Sequence, residues 1–232
     1  KRIETRDTVV IRFAGDSGDG MQVTGMQFTT ESALAGNDLA TLPDFPAEIR
    51  APAGTLAGVS AFQLSFSSSQ VFTPGDDLDA LVAMNPAALK MNLTDLKPGG
   101  MLIVDREGFN EQNLKKAEYD SNPLEDGSLG RYQVFQAEVS KLTTAALQDM
   151  GLSARVVFRC RNFFCLGMTS WLYHRPIDAS ETWIRDKFRK SAELVEANLR
   201  ALRAGFNFAE NAELFAVSYE VKPARISPGT YR

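Results

Sequence analysis

The chain has 232 residues, 44% hydrophobic and 23% charged, which suffices for one substantial core and excludes a disordered or fibrous class. A net charge of −4 offers no basic stripe for nucleic acid, and no apolar run approaches the ~20 residues of a membrane span. Two cysteines and one histidine leave too few ligands for an iron–sulfur cluster or a protein-built zinc centre. With no secretory signal at the start, the cytoplasm is the expected compartment.

The first element is a β-branched run, Thr8-Val9-Val10-Ile11, continuing through Arg12-Phe13-Ala14. It feeds the turn Gly15-Asp16-Ser17-Gly18-Asp19-Gly20, and a helix is predicted from Met21 to about Ala35, stopped by Gly36-Asn37. Strand, glycine-rich turn and helix bring bare backbone and a helix N-terminus up to an anionic group. The spacing is neither the dinucleotide fingerprint nor a P-loop, so a ligand site and a tight βα turn both remain open. Asp16 and Asp19 oppose a pyrophosphate unless their side chains point away. Gly18-Asp19-Gly20 opens like a thiamine-diphosphate motif, but Phe45 to Arg50 lacks the asparagines that would complete one.

Leu39 to Leu42 reads as a short strand, and Pro43 to Gly58 as a long irregular loop of the kind that is usually functional or disordered. Val59 to Phe66 alternates as a half-exposed strand, and Asp79 to Met84 reads as a buried one. Asn85-Pro86 opens a helix over Ala87 to Leu96. Lys97-Pro98-Gly99-Gly100 is a turn, and Met101 to Asp105 a further strand. Arg106 to Arg131 loses periodicity and reads as an insertion or partner-facing arm. Tyr132 to Ala137 is a strand, followed by helices over Ser140 to Met150 and Asn162 to Leu172. Ser180 to Ala204 reads as one long amphipathic helix ended by Gly205. Alternating strands and helices predict an α/β, Rossmann-like fold, a mostly parallel sheet with helices on both faces. Residues 1–220 form the domain, and the Pro/Gly-bearing stretch 221–232 reads as a linker to a following domain.

Several segments occur in a familiar order: Gly15 to Met21, Phe45 to Thr55, Asn122 to Leu129, Arg161 to Gly167 and the closing helix to Gly205-Phe206. Together they resemble the gamma-type domain of the 2-oxoacid:ferredoxin oxidoreductases, in the form fused at the N-terminus of the alpha subunit of 2-oxoglutarate:ferredoxin oxidoreductase. The resemblance covers nearly the whole chain. It implies an enzyme interconverting a 2-oxoacid plus coenzyme A with acyl-CoA, carbon dioxide and reduced ferredoxin, with 2-oxoglutarate as the preferred substrate. It further implies that this domain contacts coenzyme A. Thiamine diphosphate, Mg2+ and a [4Fe-4S] cluster would belong to partner domains or to the beta subunit, so the isolated chain would be inactive. Many members carry a further glycine where Ser17 stands.

The cofactor-contacting candidates are therefore Gly15, Asp16, Ser17, Gly18, Asp19, Gly20, Met21, Glu48, Arg50 and Asn162. Arg50, whose planar fork suits a carboxylate or phosphate, is also a supporting catalytic candidate. Asn162 reads equally well as a helix N-cap. Cys160 and Cys165 read as buried thiols, Arg155, Arg159 and Arg161 as a solvated or interface edge, and His174 as a helix-end residue. A nicotinamide-dependent dehydrogenase domain and a non-catalytic assembly domain are the rival readings.

Overall fold

In the computed structural model, residues 1–45, 58–212 and 215–225 are described. A short strand β1 (Arg2–Thr5) precedes β2 (Thr8–Asp16), α1 (Met21–Leu34), β3 (Asp38–Asp44), β4 (Val59–Ser67) and β5 (Leu78–Ala83). Then come α2 (Pro86–Asn92), β6 (Leu96–Asp105), α3 (Glu111–Lys116), β7 (Gln133–Ala137) and α4 (Val139–Leu147). The chain closes with α5 (Ala154–Arg159), α6 (Arg161–Leu172), α7 (Asp178–Lys187), α8 (Ala192–Asn211) and β8 (Val217–Glu220).

The main sheet has the order β3-β4-β2-β5-β6-β7, and only β4 runs against the others. Strand alternation sends Ile11 and Phe13 to one face and Val10 and Ala14 to the other. The first face is covered by α1, α4, α6, α7 and α8, and the second by α2 and the segment after β6. This is the predicted mostly parallel, three-layer α/β fold.

Several boundaries differ from the pattern-based reading. Pro43 and Asp44 belong to β3 rather than to the loop, since an edge strand tolerates a residue without an N–H. Lys97 to Gly100 lies inside β6 as a register shift, where Leu78 pairs with Leu96 but Ala80 with Met101. The long closing helix is two helices, because Ser191 accepts from the Leu194 N–H and starts α8 afresh. Gly205 lies inside α8 and does not end it. Arg106 to Arg131 is not a free arm: Phe109, Ala117 and Leu129 are buried in the second core layer. β1 pairs in parallel with β8, a strand pair that neither short run signalled. Residues 221–225 of the expected linker lie on the domain, where Asn37 Nδ2 donates to the Lys222 carbonyl at 2.7 Å and Ala224 N to that of Gly36 at 2.8 Å.

Glu31 of α1 is fully buried between α6 and α7, against the hydroxyls of Ser170 and Ser180. Ser170 Oγ lies 2.5 Å from Glu31 Oε2 and 2.8 Å from the Leu166 carbonyl. Both hydroxyls donate to the carboxyl and favour its charged form, but its burial opposes that charge more strongly. Burial accordingly pushes the Glu31 carboxyl up to about 7. Because the folded value lies above the unfolded one, this stabilisation is complete below the ordinary carboxylate range and lost as pH rises through about 7. Glu31→Gln should therefore flatten the pH profile, removing roughly 2 kcal/mol of the stability difference between about pH 5 and about pH 8. Urea titration at the two pH values measures it, and an unchanged slope would assign the pH dependence elsewhere.

Candidate functional site

β2 and β5 are adjacent and parallel, yet their following helices leave on opposite faces, α1 on the first and α2 on the second. The loops after the two strands therefore diverge and open a crevice at the carboxyl ends, the topological switch point where α/β sheets bind ligands. One lip is Asp16 to Gly20. The other is Met84-Asn85, where Asn85 accepts from the Ala88 N–H to cap α2 and donates to Asp16 Oδ1 at 2.9 Å.

The glycine turn is held by its own aspartates. Asp19 N donates to the Asp16 carbonyl and Asp16 N to Asp19 Oδ2, both at 2.9 Å. Asp19 thus turns inward and is only 8% exposed, so its charge does not face an incoming anion. Each glycine has a distinct reason. A Cβ at Gly15 would stand 2.9 Å from Asp19 Oδ2, and Gly20 sits at φ +75 with Asn162 Nδ2 2.8 Å from where its Cβ would be. A Cβ at Gly18 would meet nothing within 4 Å, so that position is bare backbone facing outward. Ser17 and Gly18 are exposed, and the first N–H groups of α1 start just beyond, with no side chain capping them. Met21 is 1% exposed, so its side chain is core and it offers the crevice backbone only.

Beneath the turn lies a buried ionic cluster that the sequence pattern did not reveal. Arg161, expected at a solvated edge, is 7% exposed. Its Nη2 donates to Asp19 Oδ1 at 2.8 Å, its Nη1 to Asp105 Oδ2 at 3.1 Å and to Ser140 Oγ at 2.9 Å, and its Nε to the Phe158 carbonyl at 3.1 Å. One residue therefore ties together the turn after β2, the end of β6, the start of α4 and the end of α5. Burial raises the Asp19 carboxyl above its usual range, and Arg161 opposes that shift. The available signal was Arg161 standing at the border of an uncharged apolar stretch, where a cation must be paired or solvated.

Asn162 is brought to the turn but not as a cap. It is the second residue of α6, its side chain packs under Gly20, its carbonyl accepts from Thr24 Oγ at 3.1 Å, and its buried Oδ1 has no partner. Glu48 and Arg50 lie outside the described residues. Cys160 and Cys165 are both buried; burial pushes the Cys160 thiol up to about 11 and Cys165 higher still, which leaves neither as a reactive thiolate. His174 ends a helix at φ 53, its Nε2 2.9 Å from Ser218 Oγ. Asp38, the nearest acid for a nicotinamide ribose, is on the edge strand, with β4 between it and β2, and accepts from Val71 N at 2.6 Å. Among the described residues no three His, Cys, Asp or Glu side chains gather to hold a metal.

The family described as pyruvate ferredoxin/flavodoxin oxidoreductase matches residues 10–208. The chain is 53% identical over 226 residues to the 2-oxoglutarate oxidoreductase subunit KorA of Mycobacterium tuberculosis, an alignment covering 97% of this chain. It spans 35% of that relative's length. Among solved structures, it is similar to 2-oxoglutarate:ferredoxin oxidoreductase from Magnetococcus marinus with 2-oxoglutarate, coenzyme A and succinyl-CoA bound. That match has a TM-score of 0.70 at 23% identity, covering 95% of this chain and 34% of the other. The gamma subunit of a keto/oxoacid ferredoxin oxidoreductase from Geobacter sulfurreducens gives a TM-score of 0.58 at 23% identity, covering 88% of this chain and 99% of that one. At these identities the structural likeness concerns the fold.

Proposed function

This chain belongs to the pyruvate ferredoxin/flavodoxin oxidoreductase family, and from that premise we propose that it is the gamma-type domain of a 2-oxoglutarate:ferredoxin oxidoreductase. The observation that carries this reading is 53% identity to a 2-oxoglutarate oxidoreductase subunit along 97% of the chain. The whole enzyme interconverts 2-oxoglutarate plus coenzyme A with succinyl-CoA, carbon dioxide and reduced ferredoxin. This part contacts coenzyme A and packs on thiamine-bearing domains and the beta subunit, in the cytoplasm.

The described residues do not fit a cluster or a thiamine–magnesium site, since both thiols are held neutral by burial and no metal-ligating group assembles. Those groups, which supply carbanion and single-electron chemistry when bound, are assigned to the partner portions. The residues do fit an anionic co-substrate. The inward turn of Asp19, the open backbone at Gly18 and the uncapped start of α1 support this, with the exposed Asp16 carboxylate held by Asn85 Nδ2. Fixing the thiol carrier there aligns it for acyl transfer, a kind of positioning that contributes several kcal/mol to rate. Glu48 and Arg50 remain proposed contacts, Arg50 in support of catalysis. Asn162 acts from beneath by supporting Gly20.

Gly18→Val in the complete enzyme tests the reading. It should fold normally, because the added side chain has open space, yet raise the KM for coenzyme A about tenfold or more, about 1.4 kcal/mol of binding. The KM for 2-oxoglutarate should change much less. Wild-type kinetics with coenzyme A would return the turn to a purely structural role.

A further inference from the structure

At the amino ends of the strands, a pocket of about 250 Å³ opens beside β2, β5, β6 and β7. Thr8 and Val9 of its lining begin β2, whereas the glycine turn follows Asp16, about 26 Å further along that strand. The pocket is therefore separate from the crevice. Tyr173, where α6 ends, lines it and is only 3% exposed, with its ring edge-on to Phe28 and Phe66. Among the described residues its hydroxyl meets no hydrogen-bonding partner, which a buried polar group rarely tolerates. Burial also holds that hydroxyl protonated, well above the usual tyrosine range, so it stays a donor. Two cations stand beside it. Arg6 lies over the Tyr219 ring at 5.3 Å and donates from Nη2 to Glu4 at 3.0 Å. Lys97 Nζ donates to Asp79 Oδ1 at 2.9 Å, while Asp79 Oδ2 accepts from Val10 N at 2.8 Å. Asp79 is the one acid among the described lining residues, and both its oxygens are taken.

We propose that this pocket is a binding site for a small organic carboxylate, distinct from the crevice at the glycine turn. A guanidinium has five N–H donors and an ammonium three, so Arg6 and Lys97 keep donors beyond the bonds they make. With the Tyr173 hydroxyl, these leave the pocket a surplus of donors. Charge has the same sign: Arg2, Arg6 and Lys97 against Glu4 and Asp79 leave one positive charge over. A carboxylate accepts several such bonds and balances that charge. Val9, Pro98 and Met101 make part of the lining apolar, where a short carbon chain is sheltered from water. Inorganic phosphate has no use for that wall, and an amine would meet two cations. At about eight waters' worth of space, about 30 Å³ each, the pocket suits an acid of a few carbons rather than a nucleotide. Its distance from the turn keeps the bound acid out of the chemistry there.

Equilibrium dialysis of labelled butyrate against the complete enzyme tests the site. About one butyrate per chain should bind with a Kd of about 1 mM or lower, and butyramide and inorganic phosphate should bind about tenfold more weakly or worse. Tyr173→Phe keeps the ring and removes the hydroxyl, so it should weaken butyrate binding about tenfold. The same variant should keep the wild-type urea midpoint, because no internal hydrogen bond is lost. Gly18→Val, at the other end of the strand, should bind butyrate as wild type does. No uptake by the wild type, equal binding of butyramide or phosphate, or equal butyrate binding by Tyr173→Phe would each overturn the site. So would a lower urea midpoint for Tyr173→Phe, which would mean that its hydroxyl is already bonded within the protein. Loss of butyrate binding in Gly18→Val but not in Tyr173→Phe would move the carboxylate to the turn and overturn the site as well. None of these outcomes touches the coenzyme A reading, which the kinetics of Gly18→Val decide separately.

Discussion

Gly205→Ala is expected to destabilise the fold by at least about 3 kcal/mol, although alanine favours a helix over glycine by about 1 kcal/mol. The reason is the crossing of α6 and α8. A Cβ on Gly205 would stand 2.0 Å from the Phe164 carbonyl oxygen, and one on Gly167 would stand 1.9 Å from that of Leu202. Each helix thus lays a glycine against the other's backbone, and a backbone oxygen cannot rotate away as a side chain would. The helices would have to separate, opening a core in which Phe164, Leu166, Ala201 and Leu202 are all at most 1% exposed. Propensity loses to packing here. Urea unfolding of Gly205→Ala and Gly167→Ala checks it, with Gly99→Asn, at an open position with φ +76, as a tolerated control. A stability gain in either crossing variant would mean that the helices sit farther apart than described.

Arg161→Met should cost about 3–5 kcal/mol near neutral pH, because it leaves Asp19 and Asp105 buried together with no cation. The sign of its pH dependence follows. Burial already raises the Asp19 carboxyl and the guanidinium opposes that shift, so without Arg161 the variant's stability is best retained in acid and lost as pH increases. Asp19→Asn in the Arg161→Met background should recover part of the loss, since one of the two charges is then gone. The functional consequence is separate from stability. Arg161 fixes the turn that presents Gly18, so the complete enzyme should lose coenzyme A affinity even at temperatures where the variant is fully folded. A variant as stable as wild type across this pH range would show that the cluster is solvated rather than buried.

Local pattern determined much of this molecule. The β-branched run before Gly15, the Asn85-Pro86 helix start and the apolar stretch Asn162 to Leu172 carry their structure in neighbouring residues, because turn chemistry, capping and periodicity act over a few positions. So the α/β class and the glycine turn at the end of the first sheet strand were legible. The chain order of weak motifs pointed to the family, and the match over residues 10–208 places the chain there. The glycines differ for reasons that only the assembled fold supplies: Gly18 faces open space, whereas Gly167 and Gly205, which look like helix breakers, are a helix crossing. Tertiary packing also made Arg106 to Arg131 part of a core layer, since buried residues as sparse as Phe109, Ala117 and Leu129 show no period of their own. Arg161 carries the same lesson for the site. Its partners Asp19 and Asp105 lie 142 and 56 residues away, so the uncharged stretch that follows Arg161 could mark a cation to be paired or solvated but not the partners that bury it beneath the turn. Charge pairing across such distances is decided by how the sheet brings its strand ends together.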